Sequence, residues 1–195
     1  MTSHRNHKKP SRRWRSWAIR ILAALVALYA AFCAIMAFGT TIEKTNDQHG
    51  ERKSYPLSES LKEQIREETK GMSADEIAEY AMDQTCKQLK FRADEKVKDG
   101  TGEGHCVTYA GVCTAIANEA FRANRKRIHG EATHEVGTIK MLGMDFCKIA
   151  YAITKDSFCR NHDFVTFKTD SGTYSLDPSA KDLIGFDLKT VRKQR

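Results

Sequence analysis

Three kinds of hydrophobic pattern follow one another along the chain. From Ile21 to Ile42 no residue is charged, in the run ILAALVALYAAFCAIMAFGTTI. Apolar residues at helical spacing then recur in three segments between about Ser60 and Arg122. From His134 onward the pattern becomes short β-rich runs separated by turn signals.

The first pattern predicts a membrane span. At about 1.5 Å per residue, 22 uncharged residues cross the roughly 30 Å hydrocarbon core of a bilayer. Trp14 and Trp17 stand at one end, where indoles favour the membrane interface. A buried core helix would be shorter and would lack such asymmetric flanks. Ala37-Phe38-Gly39 is a small-x-small pattern of the kind cleaved in signal sequences. The apolar run is long for a signal sequence, so an uncleaved anchor is expected. No lipobox-like pattern precedes Cys33.

Helical segments and their caps come next. Residues 43–57, EKTNDQHGERKSYPL, are polar and aperiodic and read as a linker. SLKEQIREETKG predicts a helix, with Ser60 and Glu63 as a capping box, Leu61 and Ile65 one turn apart, and Gly71 as a stop. SADEIAEYAMDQTCKQLKF repeats the device with Ser73 and Glu76, its apolar face marked by Ile77, Tyr80, Ala81 and Leu89. KVKDGTGEG breaks helicity. A third helix is predicted from Cys106 to about Arg122, with Tyr109, Cys113, Ile116, Ala117, Ala120 and Phe121 as its stripe.

The strand runs are EVGTIKM, FCKIAYAIT, DFVTFKT and GTYSLD, parted by LGMD, TKDS and TDSG. Helices first and strands later predict an α+β fold, with the cysteine-bearing helix packed on an antiparallel sheet. The expected organisation is a basic arm (1–20), an anchor (21–42), a linker (43–57) and one domain (58–195).

Charge refines this picture. Residues 1–20 hold Arg5, Lys8, Lys9, Arg12, Arg13, Arg15 and Arg20 and no acid. The positive-inside rule keeps this arm in the cytoplasm and exports the C-terminal part, to a periplasm or the cell exterior. Without these seven, 25 of the 32 basic residues remain, equal to the 25 acidic ones. The high pI of about 9.1 therefore belongs to the arm, and no nucleic-acid partner is expected.

Candidate chemistry lies in three places. Cys106, in GHCVTYA, stands at the first turn of a predicted helix, where free N–H groups and the macrodipole favour a thiolate. Gly102 and Gly104 just before it are expected to leave room for a substrate backbone. A nucleophile of this kind needs a base and a group that orients the base. His162 opens a β run, with Phe164 and Thr166 on its face and Val165 and Phe167 on the other. Asp177 ends the next run, before Pro178. A hairpin through TDSG brings His162 and Asp177 side by side. Singly, each has a plain structural explanation: a buried cysteine, a surface histidine, a pre-proline turn residue.

Together the three segments resemble the transglutaminase-like superfamily, a branch of the papain-like thiol enzymes. The resemblance rests on Gly104, Cys106, Tyr109 and Ala110 at the head of a helix, on His162 with Phe164, and on Asp177-Pro178-Ser179. It covers roughly residues 73–180. The order Cys, His, Asp and the intervals of 56 and 15 residues fit a minimal core. It implies a papain/transglutaminase-like core and thiol acyl transfer by a Cys106–His162–Asp177 triad: hydrolysis of a peptide or amide bond, or transamidation. A protein or peptide substrate is expected, with no cofactor. The backbone N–H of Cys106 would be one oxyanion donor, and Gln84 and Gln88 are candidates for a second. Val107 and Phe164 stand where the family often has tryptophan, so its substrate class does not carry over. No calcium-site pattern appears, and no metal dependence is expected.

Five cysteines lie outside the predicted span: Cys86, Cys106, Cys113, Cys147 and Cys159. An oxidising exterior favours disulfides. With Cys106 free, the other four allow three pairings, of which Cys147–Cys159 brackets a short predicted hairpin. Cys159-x-x-His162 would begin a zinc site, but no second short-spaced pair accompanies it. The non-enzymatic alternative is a catalytically silent, membrane-tethered binding or scaffold module on the same fold.

Overall fold

The computed structural model describes residues 12–45, 52, 55–92, 94–145, 148, 152, 162–185 and 190–192. Helix α1 (Arg12–Gly39) is uncharged on all sides from Ile21 onward, and its Ser16–Ile35 window has a mean hydropathy of 2.3 with none of it buried against the rest of the chain. It is long and apolar enough to cross a membrane.

α1 passes directly into strand β1 (Thr40–Lys44). Gly39 is the last helical residue, and the β-branched Thr40, Thr41 and Ile42 that follow favour extended backbone. β1 pairs antiparallel with β5 (Gly130–Met141), Thr40 opposite Met141 and Lys44 opposite Gly137. Its alternation is that of a half-buried strand, with Thr40 and Ile42 buried and Thr41 and Glu43 exposed. Tyr55 and Leu57 are also in the core. The structure therefore differs from the expected boundaries at 42 and 57: both ends of the predicted linker belong to the folded domain.

Three helices follow the expected order. α2 (Glu59–Glu68) is capped by Ser58, whose hydroxyl accepts from the Leu61 N–H at 3.2 Å. The cap is two residues earlier than the expected Ser60, because burying both Leu57 and Leu61 starts the helix sooner. α3 (Ala74–Gln88) has the predicted capping box: Glu76 N–H donates to Ser73 Oγ at 3.2 Å, and Ser73 N–H donates to Glu76 Oε2 at 2.7 Å. α4 (Cys106–Asn124) buries all six predicted stripe residues, Tyr109, Cys113, Ile116, Ala117, Ala120 and Phe121.

KVKDGTGEG is more ordered than a loop. Strands β2 (Leu89–Phe91), β3 (Lys96–Lys98) and β4 (Thr101–Gly104) form a small sheet, with β2 parallel and β3 antiparallel to β4. Asp99 and Gly100 join β3 to β4 with φ of 53° and 86°, the positive pair of a type I′ turn.

The main sheet also contains β6 (Met144–Asp145), β7 (His162–Thr169), β8 (Gly172–Leu176) and β9 (Thr190–Arg192). Its order is β1-β5-β7-β8-β9, with β6 paired to β5, and every pairing is antiparallel. The end strands β1 and β9 come into contact, so the sheet curls. Ala132, Val165, Phe167, Tyr174 and Leu176 join α4 and α3 in one core. Phe164, on the other face of β7, is buried against Gly137. Helix α5 (Pro178–Ile184) follows β8 and ends on Gly185 in the left-handed region at φ 71°. The chain is thus α+β, with a curled antiparallel sheet and one N-terminal apolar helix. The strand expected over 146–154 falls mostly outside the described residues, and Lys148 and Ala152, the two described positions there, are helical.

Candidate functional site

α4 begins at Cys106. Its N-cap residue, His105, is extended (φ −118°, ψ −165°) and makes no side-chain capping bond. The positive end of the helix dipole therefore lies beside the thiol without a side-chain acceptor over it. The approach to this end is fixed by the small sheet: Arg92 N–H donates to the Gly104 carbonyl at 2.8 Å.

The glycines before Cys106 are required by the chain's own packing rather than by space for a substrate. Gly102 has φ 138°, and a Cβ there would lie 2.0 Å from the Lys96 carbonyl oxygen. A Cβ on Gly104 would lie 2.3 Å from Thr108 Oγ1, one turn into α4. Both positions are therefore closed to any larger residue without rearrangement.

His162 is the first residue of β7 and lies opposite Gly137 of β5. Its Nε2 is 2.5 Å from Asp177 Oδ2. Cys106 lies near enough to the same imidazole to favour its protonated form. With Nε2 held by Asp177, Nδ1 is the nitrogen left to serve the thiol. The structure thus brings His162 and Asp177 into contact, with Cys106 beside the imidazole.

Asp177 owes its position to helix capping. It is the N-cap of α5, with Pro178 at the first helical position, where a missing N–H is harmless. Oδ1 accepts from Ala180 N–H at 3.0 Å and from Ser179 Oγ at 2.7 Å, leaving Oδ2 for His162. The carboxylate has no solvent exposure and His162 has 13 %. The Asp-Pro-Ser sequence is thus a cap whose second oxygen orients an imidazole.

α5 is pinned to the two helices beneath it. Lys181 Nζ pairs with Asp83 Oδ1 at 2.5 Å, Cys86 Sγ donates to the Pro178 carbonyl at 3.5 Å, and Tyr109 donates its hydroxyl to Asp182. Tyr109, three residues after Cys106, therefore ties the cysteine helix to the element that carries Asp177. Burial, reinforced by the bond to Asp182, raises its phenol well above the usual range.

The electrostatics follow from burial and pairing. Burial opposes an imidazolium at His162, but the adjacent Asp177 carboxylate, the bond to it and the nearby Cys106 outweigh it and push the group up to about 10. Burial also opposes a carboxylate at Asp177. The His162 charge and the bonds from His162, Ala180 and Ser179 reverse this and hold Asp177 below the usual range. Cys106 is half-buried. Cys113, two turns along the same helix, is fully buried, and its thiol is pushed up to about 12, chiefly by desolvation. No disulfide joins Cys86, Cys106 or Cys113 to another described residue, and Cys147–Cys159 lies outside the described residues.

Gln84 is buried and donates its amide to Glu68 at 3.2 Å, at the C-terminal end of α2. One of its two amide N–H donors is therefore engaged there. Gln88, one turn further towards the α3 C-terminus, is half-buried. Among the described residues no three His, Cys, Asp or Glu side chains converge as a metal site requires.

A second histidine–carboxylate pair escaped the sequence reading. Asp163, next to His162, is 2 % exposed and lies 2.7 Å from His134 Nε2 and 3.2 Å from Arg52 Nε. Tyr55, from the same segment as Arg52, donates to Glu95 at 3.3 Å and lies against Gly111 of α4. The residue before the core begins thus clamps β7 next to the candidate base. The alternation of β7 alone marked Asp163 as facing away from His162, but nothing in the sequence pointed to Arg52 or His134 as its partners.

Comparison with protein-family models, with curated proteins and with solved structures finds no match for this chain.

Proposed function

We propose that the protein is a membrane-anchored thiol acyl-transfer enzyme with Cys106 as nucleophile. The observation that carries the reading is the His162–Asp177 bond beside Cys106, which stands at an uncapped helix N-terminus. Its order and its Asp-Pro-Ser cap agree with the resemblance to transglutaminase-like enzymes.

In this mechanism Cys106 and His162 form a thiolate–imidazolium pair, favoured because His162 is held up to about 10. The thiolate attacks the carbonyl carbon of an amide. Negative charge develops on the carbonyl oxygen, where the Cys106 N–H is one donor and Gln88 a candidate second. As the C–N bond breaks, His162 gives its proton to the departing amine, leaving a thioester on Cys106. Water or a second amine then attacks the thioester, losing its proton to His162, and the thiol is restored. Asp177 keeps the ring oriented and stabilises the imidazolium throughout.

α1 acts as an uncleaved anchor in this reading, with the basic arm in the cytoplasm and the catalytic domain exported. The Leu142 N–H bonds the Gly39 carbonyl at 2.6 Å, so in the uncleaved chain the end of α1 is joined to the folded domain. The test is intact-mass analysis after incubation with a panel of peptide and amide acyl donors. A hydroxylamine-sensitive adduct on wild type, absent from Cys106→Ala, is expected. No adduct from any donor, on folded protein, contradicts the enzyme reading.

A further inference from the structure

The domain meets α1 through a hairpin rather than a tether. Leu142-Gly143 joins β5 to β6, and the Leu142 N–H bonds the carbonyl of Gly39, the last residue of α1. The Leu142 side chain lies over Gly39 so closely that a Cβ there would be 2.7 Å from its Cδ2. Even so, Leu142 is 61 % exposed and Met144 is 56 % exposed. Among the described residues outside α1, Leu183 is the one other exposed large hydrophobic residue.

The turn makes this leucine harder to explain by folding alone. Leu142 has φ 52° and Gly143 φ 79°, the pair of positive values that a type I′ turn needs. The chain's other such turn, Asp99-Gly100, has the residue type that tolerates the position. A leucine there costs roughly 1–2 kcal/mol of backbone strain and still leaves more than half of the residue exposed. A polar turn residue would satisfy the domain better, so the leucine answers a demand from outside it.

α1 shows what that demand is. α1 is uncharged from Ile21 through Gly39, or about 28 Å of helix, close to the roughly 30 Å hydrocarbon core. That places the hairpin tip at headgroup depth when α1 spans a bilayer. Of the flanking charges, Lys140 and Glu43 neutralise each other at 2.6 Å, and the Asp145 carboxylate accepts from the Lys148 N–H at 2.8 Å.

We propose that the β5–β6 hairpin, through Leu142 and Met144, seats in the headgroup–acyl boundary of the leaflet where α1 ends. The inference rests on α1 being a membrane anchor. It makes the domain a body of fixed orientation rather than a tethered one. His162 lies opposite Gly137, five residues back along β5 from Leu142, which at about 3.3 Å per residue puts the site at most about 17 Å from the bilayer surface. The acyl substrate is then presented close to the membrane.

The test uses the full chain in phosphatidylcholine–phosphatidylglycerol vesicles whose acyl chains are brominated near the headgroup. In the wild type, quenching of Trp14 and Trp17 reports that α1 is inserted. Leu142→Trp and, separately, Met144→Trp are made with Trp14→Phe and Trp17→Phe, and Leu183→Trp is the control. The indoles at 142 and 144 are expected to shift to the blue and lose intensity to bromine, while that at 183 does neither. Quenched wild-type indoles with unquenched ones at both 142 and 144 overturn the hairpin proposal and leave the anchor standing. A blue shift without bromine quenching marks a protein contact, such as a second copy, and overturns it equally. If the wild-type indoles are unquenched, the anchor fails and the proposal with it.

Discussion

His162 and Asp177 are held 2.5 Å apart by a carboxylate that is also the N-cap of α5. One oxygen starts a helix and the other orients an imidazole. The two roles separate by substitution. Asp177→Asn keeps the Oδ1 acceptor for Ala180 and Ser179 but removes the charge, so the fold is retained and Cys106 reactivity falls by on the order of 10²–10⁴-fold. Asp177→Ala also removes the cap and leaves a buried imidazole without its partner, and destabilises by about 3–5 kcal/mol. Thermal melts beside labelling rates check the order; equal melting temperatures for the two variants would contradict it.

Stability should depend on pH through this pair. His162 is held up to about 10 in the folded chain, against about 6.5 unfolded. A group raised in this way stabilises fully below its unfolded value and loses that contribution as pH rises through its folded value. The advantage of wild type over His162→Asn is therefore full below about pH 6.5 and declines towards pH 10. Asp177 is held low, so its contribution is present above its unfolded value and is lost as pH falls through the folded one. Denaturant midpoints for both proteins from pH 6 to 10 measure the first effect, and a constant difference would contradict it.

Tyr109→Phe removes the bond to Asp182 while leaving the ring in the core. The expected cost is about 1–2 kcal/mol, with slower labelling of Cys106 because α5 and its Asp177 are less firmly seated. Asp182→Asn with Tyr109 intact, which can still accept from the phenol, should retain most of the rate. If Tyr109→Phe slows nothing, the hydroxyl does not position the site.

Glycine substitutions test whether the loop before Cys106 is open or packed. Gly102→Ala and Gly104→Ala should each destabilise by about 1–3 kcal/mol or more, with Gly102 the worse because its clash is with backbone and its φ is positive. Unchanged melting temperatures would restore the idea that these glycines leave room for substrate.

A chain begun at Thr40 retains β1 and should unfold cooperatively. A chain begun at Ser58 lacks Ile42, Tyr55 and Leu57, each worth about 1.5–3 kcal/mol of burial, and should melt far lower or without a transition. Calorimetry of the two fragments decides where the domain begins.

The amphipathic helices were legible because their signals are local: Ser73 and Glu76 are three residues apart, and the α4 stripe repeats within one segment. β1 was not, because Ile42 sits in the same uncharged run as the anchor, and hydropathy does not separate a membrane helix from the buried strand that continues it. Asp99-Gly100 is a hairpin signal that the glycine-rich composition around it obscured. Cys106, His162 and Asp177 were found by residue type and order, while their adjacency depends on the curl of the sheet and the docking of α5. Asp163, His134 and Arg52 went unnoticed because each comes from a different segment and only tertiary contact brings them together.

The central claim is that Cys106 is an activated thiol. The most direct measurement is peptide-mapped labelling with an electrophilic acyl probe near pH 7, on wild type, Cys106→Ala and His162→Ala. Rapid modification of Cys106 is expected, with Cys113 untouched because it is buried and its thiol is pushed up to about 12. His162→Ala should slow the reaction at Cys106 by about 10²-fold or more, and Cys106→Ala should abolish it with little change in melting temperature. Labelling of Cys106 no faster than that of a free thiol, and no slower in His162→Ala, would contradict the account.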